Sequence, residues 1–142
     1  MRTKVNLKTA CSAWIMALIF VLTSAQLVAQ EKKADLKDFK IIIEKTDKGI
    51  KMKSDQGSAW IDLSFNLNSY QPQAVDEYGM ADLKNLSGNK DKNLADFLFT
   101  IIKTERGIEL KGIEGTAWGE LKFSLAKNKK QAINQFGMTS LN

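Results

Sequence analysis

The sequence of 142 residues contains no histidine and only one cysteine. Without histidine, the chain lacks the usual general base near neutral pH, the commonest metal ligand and every Ser-His or Cys-His catalytic arrangement. No glycine precedes Lys-Ser or Lys-Thr at the spacing of a P-loop. These absences exclude several large classes of enzyme, so we predict no catalytic residue, no metal site and no cofactor.

A hydrolase that uses two carboxylates needs only Asp or Glu side chains and therefore stays open. Asp62 and Glu120 occupy equivalent positions of a repeat described below, as do Asp38 and Asp96. These residues stand among polar neighbours, where charged side chains on a strand face are ordinarily solvated. We therefore keep a carboxylate-dependent hydrolase as a remote alternative and expect a protein that is not an enzyme.

The N-terminal segment, residues 1–29, has the pattern of a cleavable secretory signal peptide. A basic start precedes the apolar run Ala13–Leu22, which is shorter than the roughly 20 residues that span a bilayer core. Cleavage after Ala29 is our preferred prediction and cleavage after Ala25 the alternative; a retained membrane anchor is the competing interpretation. Because Cys11 precedes the apolar run, the mature chain would reach the periplasm or the extracellular space without a cysteine, a disulfide or a membrane span.

Removal of this segment lowers the net charge of the chain. The sequence has 21 basic and 16 acidic residues, and three basic but no acidic residues lie within positions 1–29, so the mature chain carries a net charge near +2. No lysine-rich stripe is interleaved with aromatic residues, which nucleic-acid binding would favour. We therefore predict no nucleic-acid partner.

The mature sequence contains a repeat at a fixed offset of 58 residues. Phe39–Met80 aligns without a gap with Phe97–Met138, and 17 of the 42 aligned positions are identical. The predicted organisation has two units that share the core of one domain. Its segments are a signal peptide (1–29), a lead-in (30–38), unit 1 (39–80), a linker (81–96) and unit 2 (97–142).

Each unit has the pattern of four short antiparallel strands. Phe39, Ile41 and Ile43 occupy alternate positions, with Lys40 and Glu44 on the other face, as in a half-buried strand. The turns TDKG and TERG indicate hairpins in which Gly49 or Gly107 takes a left-handed conformation beside a bulge. The last segment, QAVDEYGM or QAINQFGM, is predicted as one short fourth strand, with a helical turn as the second choice.

The predicted fold class is all-β, with two homologous antiparallel four-stranded units. About 42 residues bury too little surface to stand alone comfortably, so we expect the two units to form a sandwich or closed barrel of about eight strands. The alternative is two small sheets side by side, each completed by formation of a homodimer.

The repeated phrases GSAWIDLSF and GTAWGELKF each contain a tryptophan, Trp60 or Trp118. Alternation that points Leu63 inward would place Trp60 on the polar face, where a flat aromatic can stack on a sugar. A bulge before the tryptophan would instead turn the ring into the core, and we favour this because tryptophan is usually highly buried. The candidate ligand-binding residues are both tryptophans and the repeated Gln73 and Gln131. The alternative role of the two glutamines is a tie between loop and strand.

The pattern G-[ST]-A-W-x-x-L-x-F followed by Q-A-[IV]-x-x-x-G-M resembles small exported proteins of Gram-negative bacteria that carry this unit once or more. No activity is assigned to that family, so the resemblance implies export and a repeat, not a reaction. Many such proteins carry cysteine before the Ala-Trp pair. Here Ser58 and Thr116 stand there, so a thiol role does not apply to this chain.

Together these features predict an exported, non-enzymatic β-repeat protein that acts as a binding or structural module. A small-ligand binder, for example of a glycan, that uses Trp60 and Trp118 is the alternative. The expected partners are a protein or a glycan.

Overall fold

The computed structural model describes residues 36–86, 88 and 90–142. The predicted signal peptide and most of the lead-in lie outside these residues. The described residues form strands and no helix, so none of them contributes a helix that could cross a membrane. The strands are β1 (Lys40–Lys45), β2 (Gly49–Gln56), β3 (Asp62–Asn66), β4 (Gln73–Asp76), β5 (Gly79–Ala81), β6 (Leu98–Lys103), β7 (Gly107–Glu114), β8 (Glu120–Ser124), β9 (Lys130–Asn134) and β10 (Gly137–Thr139).

The strands form two antiparallel five-stranded sheets. Sheet A has the order β10-β9-β1-β2-β3 and sheet B the order β5-β4-β6-β7-β8. The prediction of an all-β fold is confirmed. Of the two predicted arrangements, a sandwich or a closed barrel, the barrel is wrong because the strands form two separate sheets. The prediction of four strands per unit is also wrong. The segment 73–81 turns back on itself at Glu77–Tyr78 and supplies two strands, because Gly79 adopts a φ of 126° that other residues rarely take.

Each sheet combines strands from both halves of the chain. In sheet A, β9 pairs with β1, with Ile133 opposite Ile41. In sheet B, β4 pairs with β6, with Val75 opposite Phe99. The hairpin that ends each half therefore leaves its own three-stranded meander and completes the sheet of the other half.

One hydrophobic core lies between the sheets. The rings of Phe39 and Phe97, which precede the central strands β1 and β6, lie 4.4 Å apart between centroids. Alternate residues of the central strands face this core, as period-two strands require. The fully buried core side chains are Phe39, Ile41, Ile43, Ile50, Val75, Phe97, Phe99, Ile101, Ile108, Leu110 and Ile133.

The predicted left-handed conformation of Gly49 and Gly107 is wrong, since neither glycine has a positive φ. Glycine is required there for a different reason: a Cβ on Gly49 would overlap the carbonyl oxygen of Phe65 on the adjacent strand. The register shift of the β1–β2 pair lies at the far end of that pair, between Lys40 and Ile41.

Candidate functional site

The two most recognisable phrases of each unit, G-x-A-W and Q-A-x-x-x-x-G-M, are bonded to each other. The indole Nε1 of Trp60 donates to the carbonyl oxygen of Asp76 at 3.0 Å, and the amide of Ala59 donates to Glu77 O at 2.8 Å. The second unit repeats both bonds with the same geometry: Trp118 Nε1 donates to Asn134 O at 3.0 Å, and Ala117 N to Gln135 O at 2.7 Å. The repeated tryptophan therefore fastens the loop before β3 or β8 to the hairpin that follows in the same unit.

Both tryptophan rings are half-buried and pack against the core. The ring of Trp118 lies 6.0 Å from that of Phe99, between centroids. Strand alternation does not determine the orientation of Trp60, because β3 begins two residues later at Asp62. The loop that carries Trp60 connects β2 to β3 in sheet A, and its indole bonds to β4 in sheet B. The indole therefore closes one margin of the sandwich.

Gln73 and Gln131 fasten the hairpins at their other end. Gln73 Nε2 donates to Ala74 O at 2.9 Å and to Ala81 O at 3.2 Å. Gln131 Nε2 makes the matching bonds to the carbonyl oxygens of Ala132 and Thr139, at 2.9 and 3.1 Å. These bonds join β4 to the end of β5 and β9 to the end of β10, within each hairpin.

The four candidate ligand-binding residues do not lie together at one site. Within unit 1, Gln73 begins β4 while Trp60 bonds to Asp76 at its end, which is about 10 Å of extended chain away. The side chains of Trp60 and Leu63 lie beside Gly79, so β3 faces β5 at one margin of the sandwich. Trp118 precedes β8 at the opposite edge of sheet B.

The carboxylates of Asp62 and Glu120 are not brought together either. Asp62 begins β3, which faces β5, whereas Glu120 begins β8 at the other edge of sheet B. Four strand spacings, about 19 Å, separate these edges, far more than the spacing of a glycosidase pair. Glu120 also forms an ion pair with Lys122 at 3.2 Å. The described residues contain no group of His, Cys, Asp or Glu side chains that could hold a metal ion.

The structure adds one unusual polar group, Glu77, at the turn between β4 and β5. Its side chain is only 3% exposed, and its Oε2 atom is buried without a hydrogen-bond partner. Lys90 Nζ lies 3.8 Å from Glu77 Oε1, 2.6 Å from Asp96 Oδ1 and 3.7 Å from Glu114 Oε2. Burial raises the pKa of the Glu77 carboxyl, and a backbone hydrogen bond together with Lys90 offsets only part of this rise. The pKa of Lys90 is raised because Asp96 accepts a hydrogen bond from it.

The equivalent residue of unit 2, Gln135, is fully satisfied. Gln135 Oε1 accepts from the amide of Phe39 at 3.2 Å, and its Nε2 donates to Asp38 Oδ1 at 2.7 Å. Asp96 is the counterpart of Asp38. Gln135 can donate a hydrogen bond to Asp38, whereas the Glu77 carboxylate meets another carboxylate, that of Asp96. The sequence displays the Glu-to-Gln difference between the units, but nothing in it signals that this position is buried.

A cavity of about 140 Å³ adjoins Glu77 and is bordered by Lys90, Glu114 and Leu98. Its charged walls already pair with one another through Lys90.

Comparison of the chain with protein-family models, with curated proteins and with solved structures finds no match in any of the three. The candidate sites therefore rest on the geometry of this chain.

Proposed function

We propose that this chain is an exported, non-enzymatic protein of two fused β-repeat units that acts as a binding or structural module. The observation that supports this most directly is the use of the repeated polar side chains. The side chains of four repeated residues donate to backbone carbonyl oxygens of the β4–β5 or the β9–β10 hairpin: Trp60, Gln73, Trp118 and Gln131. Residues that recur in both units thus build the fold, which leaves the surface to carry the function.

The chemistry of the chain supports the non-enzymatic part of the proposal. The sequence has no histidine for proton transfer near neutral pH. Asp62 and Glu120, the acidic residues of the hydrolase alternative, belong to strands at different margins. Among the residues that the structure describes, Glu77 is the one strongly buried carboxyl. It sits beside Lys90 and two further carboxylates, an arrangement that ties the linker to the hairpin.

The alternative function is binding of a glycan or another small ligand on Trp60 or Trp118. Such a platform needs an accessible ring face and gains specificity from polar groups beside it. Both rings are half-buried, and the indole N–H of each is already bonded to a carbonyl oxygen. This geometry favours the structural role of the two tryptophans.

Tryptophan fluorescence distinguishes the two functions in the chain that begins at Gln30, where Trp60 and Trp118 are the only indoles. We expect blue-shifted emission, weak quenching by acrylamide and no response to soluble glycans. A saturable response to one glycan, lost in Trp60→Phe or Trp118→Phe while the variant stays folded, would establish the ligand-binding alternative. Specific turnover of any substrate would contradict the non-enzymatic proposal.

A further inference from the structure

Four connecting segments meet at one end of the sandwich. Backbone hydrogen bonds join the β3–β4 loop to the β1–β2 turn (Leu67 N to Lys48 O, 2.9 Å) and to the end of β6 (Tyr70 N to Lys103 O, 2.8 Å). The β8–β9 loop makes the two equivalent bonds, to Arg106 O and to Lys45 O. We call this region the loop end; it consists of residues 45–48, 67–72, 103–106 and 125–129.

The loop end concentrates the positive charge of the chain. Residues 36–142 contain 16 basic and 14 acidic side chains. Six of the basic and two of the acidic ones lie at the loop end, so this region has a surplus of four positive charges while the rest of residues 36–142 has a net charge of −2. The charged residues of the loop end are Lys45, Lys48, Lys103, Arg106, Lys127 and Lys129, with Asp47 and Glu105.

Carboxylates neutralise little of this charge. Lys45 Nζ donates to the carbonyl oxygens of Thr104 and Glu105, at 2.7 and 3.0 Å, and Lys103 Nζ donates to Asp47 O at 3.0 Å. These two lysines therefore bind the opposite turn through its backbone carbonyl oxygens rather than through a carboxylate. Among the described residues, the only ion pair within the loop end joins Lys127 Nζ to Asp47 Oδ1 at 2.6 Å.

An exposed aromatic residue stands among these cations. Tyr70 is 62% exposed and has a φ of 66°, a left-handed conformation that is unfavourable for a bulky side chain. Its counterpart in unit 2 is Asn128, with a φ of 64°, and asparagine tolerates that conformation better. The left-handed conformation itself belongs to the fold, because both residues donate a backbone hydrogen bond from it, to Lys103 O and to Lys45 O. The choice of a bulky aromatic side chain at such a position points to a role outside the fold.

We propose that the loop end docks onto the surface of an anionic lipid bilayer. Clusters of four to eight Lys or Arg side chains attract anionic headgroups, and tyrosine is enriched at the membrane–water interface. Five of the six cations are lysines, which act as point charges and lack the bidentate geometry with which arginine recognises single phosphates. The net negative charge elsewhere orients the molecule with the loop end towards the bilayer. This surface deepens the proposed binding role of the protein.

Co-sedimentation with lipid vesicles tests the proposal. Residues 36–142 form one compact unit that contains every described strand and the whole described core, so the chain from Gln30 is a suitable sample. We expect it to sediment with vesicles of phosphatidylcholine containing one third phosphatidylglycerol at low salt, and to dissociate at high salt. It should not sediment with pure phosphatidylcholine.

Two triple variants remove the same amount of positive charge from different parts of the surface, so they test whether vesicle binding depends on where the charge lies. Lys48→Gln/Arg106→Gln/Lys129→Gln removes three exposed cations of the loop end. Each cation near an anionic surface contributes about fivefold to binding, so we expect a loss of roughly 100-fold. The control, Lys53→Gln/Lys84→Gln/Lys92→Gln, removes three exposed cations elsewhere and should bind within a few-fold of the native chain.

The substitution Tyr70→Asn supplies an independent readout. It should raise the melting temperature, because it relieves the left-handed strain, and at the same time weaken vesicle binding severalfold. A merely structural Tyr70 would alter stability without changing the binding to vesicles.

Three results would overturn the proposal: no sedimentation with anionic vesicles at low salt, equal losses in the two triple variants, or displacement from vesicles by duplex DNA at equal phosphate concentration. None of these results involves turnover, so failure of the docking surface remains distinct from failure of the non-enzymatic function.

Discussion

The substitution Glu77→Gln is predicted to raise the free energy of unfolding by about 1 kcal/mol at neutral pH. The native carboxyl is buried, and its Oε2 atom has no hydrogen-bond partner. A glutamine can adopt the arrangement of Gln135, whose Nε2 donates to Asp38 and whose Oε1 accepts from Phe39. The amide of the variant would then donate to Asp96, the counterpart of Asp38.

The loss on substitution is the attraction between Glu77 and Lys90. Their atoms are 3.8 Å apart, and the Lys90 side chain is 49% exposed, so this pair contributes at most about 1 kcal/mol. Lys90 keeps its 2.6 Å bond to Asp96 in the variant. The substitution removes the cost of burying a charge and adds one hydrogen bond. Together these gains outweigh the lost attraction to Lys90, so the free energy of unfolding rises.

The dependence on pH provides a sharper test. Burial raises the pKa of Glu77 above its usual value of 4.5, so the folded state holds this proton more tightly than the unfolded chain does. The contribution of Glu77 to stability therefore falls as pH rises from 4.5 through the folded pKa, and the variant lacks this loss. The advantage of Glu77→Gln should be largest at neutral pH and shrink as pH falls towards 4.5.

Urea denaturation followed by tryptophan fluorescence measures both quantities. The reverse change, Gln135→Glu, is the matched control and should lower the free energy of unfolding by about 2 kcal/mol, because it places a carboxylate against Asp38. If Glu77→Gln destabilises the protein at neutral pH, the ion pair with Lys90 dominates and the reasoning is refuted.

Two further predictions concern the contacts that join the loops. Trp118→Phe should lower the free energy of unfolding by about 1–2 kcal/mol, because Asn134 O loses its indole donor. Trp60→Phe should lower it by the same amount, because Asp76 O loses the equivalent donor. Unequal losses in urea denaturation would show that the two bonds are not equivalent. Lys103→Met should lower the free energy of unfolding by about 1 kcal/mol, because Asp47 O in the β1–β2 turn loses the 3.0 Å hydrogen bond from Lys103 Nζ. An unchanged melting temperature would contradict this role.

Local pattern predicted the elements of this fold well where one strand face is buried. In β1, Ile41 and Ile43 occupy alternate positions and are fully buried, whereas Ile42 between them is only half-buried. The hairpin after Gln73 was not predicted, because four residues and then three form strands too short to produce a periodic signal. The glycine within that segment looks like a strand end, although its positive φ creates a turn between two strands.

The pairing of the strands was not predictable from these patterns. The partner of β4 is β6, and that of β9 is β1; the second pair joins residues about 90 positions apart in sequence. Alternation specifies which face of a strand is buried, whereas it carries no information about which edge the strand joins. The loop end escaped prediction for the same reason, since Asp47 and Lys127 become neighbours only through the pairing of distant strands.

The exchange of hairpins explains why the same phrase occurs twice. In one unit alone, the meander β1-β2-β3 would leave β1 as an open edge, and the hairpin β4-β5 would have no sheet to join. The second unit supplies β9 and β10 to that open edge and receives β4 and β5 on β6 in return. The tryptophan bond accompanies this exchange, because it holds each departing hairpin against the meander of its own unit. The sandwich contains two exchanged hairpins, and each needs its own tryptophan bond. The phrase that supplies this bond therefore recurs, with Trp60 in the first unit and Trp118 in the second.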